Sequence, residues 1–249
     1  MKSHPHVVTL KGLDDTIPTM PILLELAVCD AFDILENGHR HSMLQKASLL
    51  RDAALGLLHI HREGWVHVDF KAENLLMVKG HGRLLQGKVS DFGLARLEGD
   101  VRPKMTGTPG YIPMENLSEA VATSADQDVF SLAVFMVMMF VRPHLQGNNV
   151  FALEALLTDD ELDELNAMEE GDVDADIAFD SRVMKRTSVD GSFEREILKA
   201  SSLQGNVPMA EEVCEWLKAC LSPVVSARLS MPDLASKLNR FLQRTRTAR

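Results

Sequence analysis

The longest apolar stretch of the chain, Val129 to Val141, is interrupted only by Ser131. A bilayer crossing takes about 20 apolar residues, so this run is too short to span and reads as a helix buried on every side. Ser124 and Gln127 stand at capping-box spacing just ahead of it and place the helix at about 128–141. Such a helix needs a sizeable core around it. A chain of 249 residues, 45% apolar and 25% charged, is large enough for one domain, or a domain and a fragment of another, with that core.

The rest of the chain has a little β at the front and mostly α behind. Residues 7–10 (VVTL) and 21–27 (PILLELA) read as short strands separated by a polar turn at Gly12 to Thr16. Ser48 to His61 carries Leu49, Leu50, Ala53, Leu57 and Ile60 at helical spacing and ends at Gly64. Leu75–Val78 and Lys88–Ser90 are short strands around Gly80-His81-Gly82, the pattern of a hairpin. Residues 150–207 alternate helical patches with acidic loops. Ala210 to Leu242 reads as two helices around a break at Ser222-Pro223, followed by a basic tail. No internal repeat is visible.

The formal net charge of −10 argues against nucleic acid or an anionic membrane as main partner. The acidity is concentrated in residues 159–180, which read as a solvated loop or exposed helix face. Three scattered cysteines, Cys29, Cys214 and Cys220, make neither a disulfide framework nor a CxxC metal site, and imply a reducing, cytoplasmic location. Residues 1–25 hold no signal peptide, because His and Pro interrupt any apolar run.

The chemistry concentrates in His67-Val68-Asp69-Phe70-Lys71-Ala72-Glu73-Asn74, followed seventeen residues later by Asp91-Phe92-Gly93. Phosphoryl transfer needs a carboxylate to orient and deprotonate the attacking hydroxyl, a cation beside the phosphate, and oxygen ligands for magnesium. A loop with Asp, Lys two residues on and Asn five on supplies a base, a cation and one ligand. A second Asp at the end of a neighbouring hairpin strand supplies another hard oxygen donor.

These segments resemble the catalytic loop and the magnesium-binding motif of the protein kinases. Further stretches are similar to that family. Gly107-Thr108-Pro109-Gly110-Tyr111-Ile112-Pro113-Met114-Glu115 resembles the segment that receives the substrate peptide. Asp128-Val129-Phe130-Ser131 resembles the start of the buried helix, and Arg228 stands where the family pairs an arginine with the glutamate, here Glu115. His4-Pro5-His6-Val7-Val8-Thr9-Leu10 resembles the fourth strand of the upper lobe, and Leu24-Glu25-Leu26-Ala27 the hinge that bonds adenine.

The resemblance implies an α+β, protein-kinase-like fold with a mostly helical C-lobe and only a remnant of the N-lobe sheet and hinge. Residues 1–27 are the expected remnant and 28–249 the C-lobe, with an acidic insert-like region at about 150–207. It implies ATP and Mg as cofactors and a protein as substrate, with room for a regulatory protein partner. Asp69 is then the base and Lys71 the cation facing the γ-phosphate. Asn74 and Asp91 are the magnesium ligands, Glu25 and Ala27 the hinge, and Leu76 the floor beneath adenine. Thr108 in the substrate segment, with Lys71, follows the serine/threonine rather than the tyrosine pattern. His67, Leu10, Phe92 and Asp128 match packing or bracing positions.

The departures are as informative. No GxGxxG occurs in the chain, only three residues precede His4, and neither the phosphate-contacting strand lysine nor its helix glutamate has a counterpart. The expectation is a kinase domain impaired as it stands, or alternatively a pseudokinase serving as a protein-binding scaffold. Val68 replaces the usual arginine, so phosphorylated Thr106 is not expected to switch activity through that clamp. Met114 replaces the usual alanine. A third reading, a metal hydrolase, rests on the pairs His4/His6, His39/His41 and His59/His61. On a helix, however, side chains at i and i+2 point apart.

Overall fold

The computed structural model of the protein describes residues 3–13, 16, 21–36, 42–80, 85–117, 119–141 and 207–247. In chain order the elements begin with strands β1 (Leu10–Leu13), β2 (Ile22–Leu24) and β3 (Cys29–Asp30), then helices α1 (Ala31–Glu36) and α2 (Met43–Arg62). Strands β4 (Trp65–Val66), β5 (Leu75–Lys79), β6 (Leu85–Val89), β7 (Arg96–Leu97), β8 (Val101–Arg102) and β9 (Val121–Ala122) follow. Helices α3 (Ala125–Val141), α4 (Val207–Cys220) and α5 (Met231–Thr247) complete the described chain. Among the described residues the strands form four small antiparallel sheets: β1-β2, β3-β5-β6, β4-β7 and β8-β9.

Helix α3 is the centre of the core. Every side chain from Val129 to Phe140 is at most 4% exposed. Its start at Ala125 follows from the Ser124 cap. The Gln127 side chain accepts the Ser124 N–H at 3.3 Å, and Ser124 Oγ accepts from the Asp126 N–H rather than from residue 127. Aromatic edges lock neighbouring helices onto it: Phe140 meets Phe241 of α5, and Phe241 meets Trp216 of α4, with ring centroids 5.9 and 5.8 Å apart.

Helix α2 begins at Met43, five residues earlier than its apolar spacing alone indicated. Ser42 and Gln45 form a complete capping box: Ser42 Oγ accepts the Gln45 N–H at 3.3 Å, and Gln45 Oε1 accepts the Ser42 N–H at 2.9 Å. The helix packs on α3, α5 and β6. At Gly56 the backbone of His6 crosses so closely that a Cβ would lie 2.4 Å from His6 O and 2.6 Å from Val89 Cγ2.

That crossing corrects the expected strand at 7–10. Val8 N–H donates to Val89 O, and Val89 N–H donates to His6 O, both at 2.9 Å. Residues 6–8 are therefore bonded to the end of β6, with Val7 a lone parallel bridge to Val89, and hairpin pairing starts only at Leu10. Leu10, expected to pack, is 56% exposed. The second strand is shorter than the expected 21–27 for a related reason: beyond Leu24 the chain turns to bond Thr9 and Met77.

The β5–β6 hairpin is longer than expected, in register from Leu75↔Val89 to Lys79↔Leu85. Ser90 falls outside it. The break between α4 and α5 lies where Pro223 placed it, with a short 3-10 turn at Val225–Ala227. The acidic 159–180 segment, the His81-Gly82 turn and His39/His41 lie outside the described residues.

Candidate active site

The loop that carries Asp69 leaves β4 and is gripped from the first turn of α3. The Asp128 carboxylate accepts the backbone N–H groups of His67 at 2.8 Å and Val68 at 2.9 Å, and bonds His61 Nε2 at 2.7 Å. Burial alone would push this carboxyl up. The His61 bond and charge, with His67, outweigh it and hold Asp128 below its ordinary value. The grip is needed because Val68 sits at φ 73, a left-handed conformation that a β-branched residue adopts only under constraint. His67 Nε2 donates to Ser90 O at 2.8 Å, tying the loop to the end of the β5–β6 hairpin.

Hairpin register then sets the remaining carboxylate beside the loop. Ser90 donates twice to Asn74 O, from its N–H at 2.9 Å and its hydroxyl at 3.1 Å. Asn74 Nδ2 donates to Asp69 O at 2.8 Å. Asp69, Asn74 and the residue preceding Asp91 are thus one hydrogen-bonded unit. Asp91 follows at φ 59, exposed, with Oδ1 accepting the Gly93 N–H at 3.2 Å. Lys71 is half-buried between Asp69 and Asn74, and its carbonyl accepts the Asn74 N–H.

Thr108 reaches this unit from the far side. Its hydroxyl donates to Asp69 Oδ1 at 2.7 Å. Gly107 permits the approach: it sits at φ +122, and a Cβ there would come within 3.2 Å of Val68 O. The segment is then nailed to the core. Ser131 Oγ donates to Tyr111 O at 3.0 Å, and Arg228 forms two parallel 2.8 Å bonds to the carboxylate of Glu115. The Glu115–Arg228 pairing is the one the family resemblance implied.

The expected nucleotide residues form a second group. Glu25 N–H donates to Thr9 O at 3.0 Å, while Glu25 Oε1 accepts from the Thr9 N–H and from Lys88 Nζ, each at 2.7 Å. Burial would raise this carboxyl, but Lys88 and Thr9 prevail and hold it below its usual value. The Glu25 side chain therefore braces the sheet. Val28 N–H donates to Met77 O at 2.7 Å, which fixes the segment containing Ala27 to β5 next to Leu76. Leu76 is half-buried opposite Lys88 and Asp30. Strands β5 and β6 join the groups: Leu76 is two residues from Asn74, and Lys88 three from Asp91.

Sequence reasoning missed Lys88 and Ser90, which carried no local signal. It also missed Arg102, 1% exposed, whose Nη1 donates to Thr106 O at 3.1 Å. Gly107, adjacent to Thr108, was legible as a close-approach position. The His pairs divide: His61 is committed to Asp128, while the rings of His4 and His59 stack at 4.4 Å with 7° between planes. Among the described residues no group of three or more His, Cys, Asp or Glu side chains is arranged to hold a metal ion.

Two oxygen-bearing side chains, Asn74 and Asp91, flank the hairpin end next to Asp69. Hard oxygen donors of this kind suit magnesium, which retains waters and phosphate oxygens as its other ligands. The sequence profile of the protein kinase domain matches residues 1–238 of the chain.

The chain belongs to the protein kinase domain family.

Among curated relatives, this kinase-family chain is similar to the serine/threonine-protein kinase GD17699 of Drosophila simulans, 32% identical over 157 residues. That match covers 60% of this chain and 21% of the relative. The serine/threonine-protein kinase CG17528 of Drosophila melanogaster matches with the same identity and coverage. The serine/threonine-protein kinase DCLK3 of Mus musculus is 34% identical over 120 residues, 47% of this chain and 15% of the relative. The kinase chain therefore spans about a fifth or less of the length of these relatives.

Proposed function

We propose that this chain is a serine/threonine-type protein kinase catalytic domain that transfers the γ-phosphate of ATP to a protein hydroxyl in the cytoplasm. The observation that carries the reading is the single unit built by Asp69, Asn74 and Ser90-Asp91, with Thr108 seated on the Asp69 carboxylate.

Asp69 is the base. Its Oδ1 accepts one hydroxyl hydrogen bond in the structure, from Thr108, and the same carboxylate orients a substrate hydroxyl and takes its proton as the oxygen attacks phosphorus. Lys71 supplies positive charge beside the transferring group. Asn74 and Asp91 would hold magnesium, which would neutralise phosphate charge. The Glu25 carbonyl and the Ala27 backbone would hold the adenine edge, and Leu76 would supply the apolar floor of the nucleotide site. Among the described residues no helix is long and apolar enough to cross a membrane, and the described cysteines are free thiols.

A second reading, a pseudokinase acting as a protein-binding scaffold, is favoured by one sequence observation: the 249 residues contain no GxGxxG, and neither the phosphate-contacting strand lysine nor its helix glutamate has a counterpart among them. Loss of one preorganised charge-stabilising donor costs about 3 kcal/mol in a transition state, so activity within these residues is expected to be low. The deciding experiment measures MgATP binding by thermal shift and phosphate transfer to a generic basic protein. The kinase reading expects both, with transfer lost and the fold kept in Asp69→Asn. A folded wild-type chain showing neither supports the scaffold, and transfer undiminished in Asp69→Asn overturns the assignment of the base.

A further inference from the structure

Strand β8 delivers a charged side chain, Arg102, into the core. Asp100 O accepts both the Thr123 N–H at 2.8 Å and the Thr123 hydroxyl at 2.7 Å, and Arg102 pairs with Val121 of β9, so the strand is fixed just ahead of α3. The Arg102 side chain is fully buried. Burial pushes its guanidinium below the ordinary value, and the charges of Asp128 and Glu115 pull it back. Both carboxylates are bonded elsewhere, Asp128 to His61 and the loop amides, Glu115 to Arg228. Nε and Nη2 of Arg102 meet no partner, while Nη1 donates to Thr106 O at 3.1 Å. A buried charge is costly to hold, and the one hydrogen bond this cation makes is to the main chain just ahead of Thr108.

That bond closes the turn that leads to Thr108. Thr106 Oγ1 donates to Pro103 O at 2.7 Å, and Asn116 Nδ2 donates to the same oxygen at 3.1 Å. Met105 N–H donates to Asn116 O at 2.8 Å. Met105 sits at φ 56, a left-handed conformation that a residue with a side chain takes up rarely. These bonds fix residues 103–105 and the Thr106 side chain. Among the described residues, the peptide unit joining Thr106 to Gly107 makes a single hydrogen bond, the one from Arg102. Gly107 and then Thr108, on Asp69 Oδ1, follow directly.

We propose that Arg102 is a positioning residue of the site: it holds the Thr106 carbonyl where Thr108 can reach the Asp69 carboxylate. Its effect on phosphate transfer rests on the kinase reading, whereas its effect on the Thr108–Asp69 bond does not. The oxygen it grips belongs to the main chain, so the seat of Thr108 is built without a phosphate on the Thr106 hydroxyl, which Pro103 O accepts.

The test is a double-mutant cycle on the full chain, read by urea midpoint and by phosphate transfer. Thr108→Val should lower the midpoint of the wild-type chain, and lower it much less in Arg102→Met, where the Thr108–Asp69 bond is already loosened. In the kinase reading, Arg102→Met should cut the rate of the folded protein at saturating MgATP about tenfold, the equivalent of one hydrogen bond to a charged group. The KM for MgATP should not change, because Glu25, Ala27 and Leu76 form a separate group, and Thr108→Val should add little to the loss of rate. Arg102→Lys keeps the charge and a donor and should recover part of both effects; it carries the cycle if Arg102→Met does not fold. Equal midpoint losses from Thr108→Val with and without Arg102 would overturn the proposal, and in an active chain would leave the kinase reading standing. A coupled cycle in a chain that transfers no phosphate keeps the role of Arg102 and removes the kinase reading.

Discussion

The Thr108 hydroxyl lies 2.7 Å from Asp69 Oδ1 and donates to it across 39 residues of sequence. This bond fixes the carboxylate that the proposed chemistry depends on. A hydrogen bond to a charged group contributes about 1.5–3 kcal/mol. Thr108→Val is therefore expected to lower the urea midpoint by the equivalent of about 1.5–3 kcal/mol, and to lower phosphate transfer by the folded protein about tenfold or more. Steady-state rates at saturating MgATP check this, and an unaffected rate would show that the bond is only structural.

Arg228 and Glu115 form a bidentate pair in which the Arg228 side chain is fully buried and that of Glu115 is 20% exposed. Removing one member of such a pair leaves a stranded charge and costs about 3–5 kcal/mol. Arg228→Ala should lower the urea midpoint sharply, Arg228→Lys by less, and Glu115→Gln by an intermediate amount. Equal midpoints for Arg228→Ala and wild type would refute the bracing role.

Gly56 lies inside α2, where alanine is ordinarily the better helix former by about 1 kcal/mol. Here the added methyl would collide with His6 O and Val89 Cγ2. Gly56→Ala should therefore destabilise the protein, by about 1–3 kcal/mol, and make residues 3–9 more accessible to limited proteolysis. A stabilised variant would mean that the N-terminal segment does not rest on α2.

Acid should weaken the same junction. Burial, followed by the charges of His59, His6 and Arg62, lowers the His4 imidazole to about 4, and burial lowers His6 against the pull of Asp52. Between pH 6.5, the ordinary histidine value, and about 4 the unfolded chain binds more protons than the folded one, so stability falls as pH drops through that window. Asp128 adds to the loss only below its ordinary value of 3.8, because its folded pKa is depressed. Urea midpoints measured from neutral pH to about 4 should decline, and His4→Gln should flatten the decline. A pH-independent midpoint would contradict the burial of these rings.

Much of the site was legible because its pieces are local. Asp69, Lys71 and Asn74 share one short loop, and the strand pattern on both sides of Gly80 brought Asp91 back beside them. Helix α3 announced itself through a run with no polar face. The Ser42–Gln45 capping box was also present in the sequence, and overlooking it misplaced the start of α2. What could not be read were partners chosen by packing: Lys88 on Glu25, Ser90 on Asn74, and the contact of residues 6–8 with Val89 that moved the first strand to Leu10.

The physical division is one of range. Helical periodicity, caps and turn residues act over a few neighbouring positions, so the sequence by itself determined that α2, α3, α4 and α5 exist, though not α1, that the core surrounds residues 129–140, and which loop holds oxygen donors. Closing contacts between residues 39 and 113 positions apart differs by only about 1 kcal/mol in chain entropy, so chain entropy singles out no partner. Only the packed core decided that Thr108 meets Asp69 and that Asp128 grips the loop at Val68. Only the tertiary structure, too, left Leu10 and the β2 edge facing solvent, since an apolar strand carries no local mark of which of its sides the fold will cover.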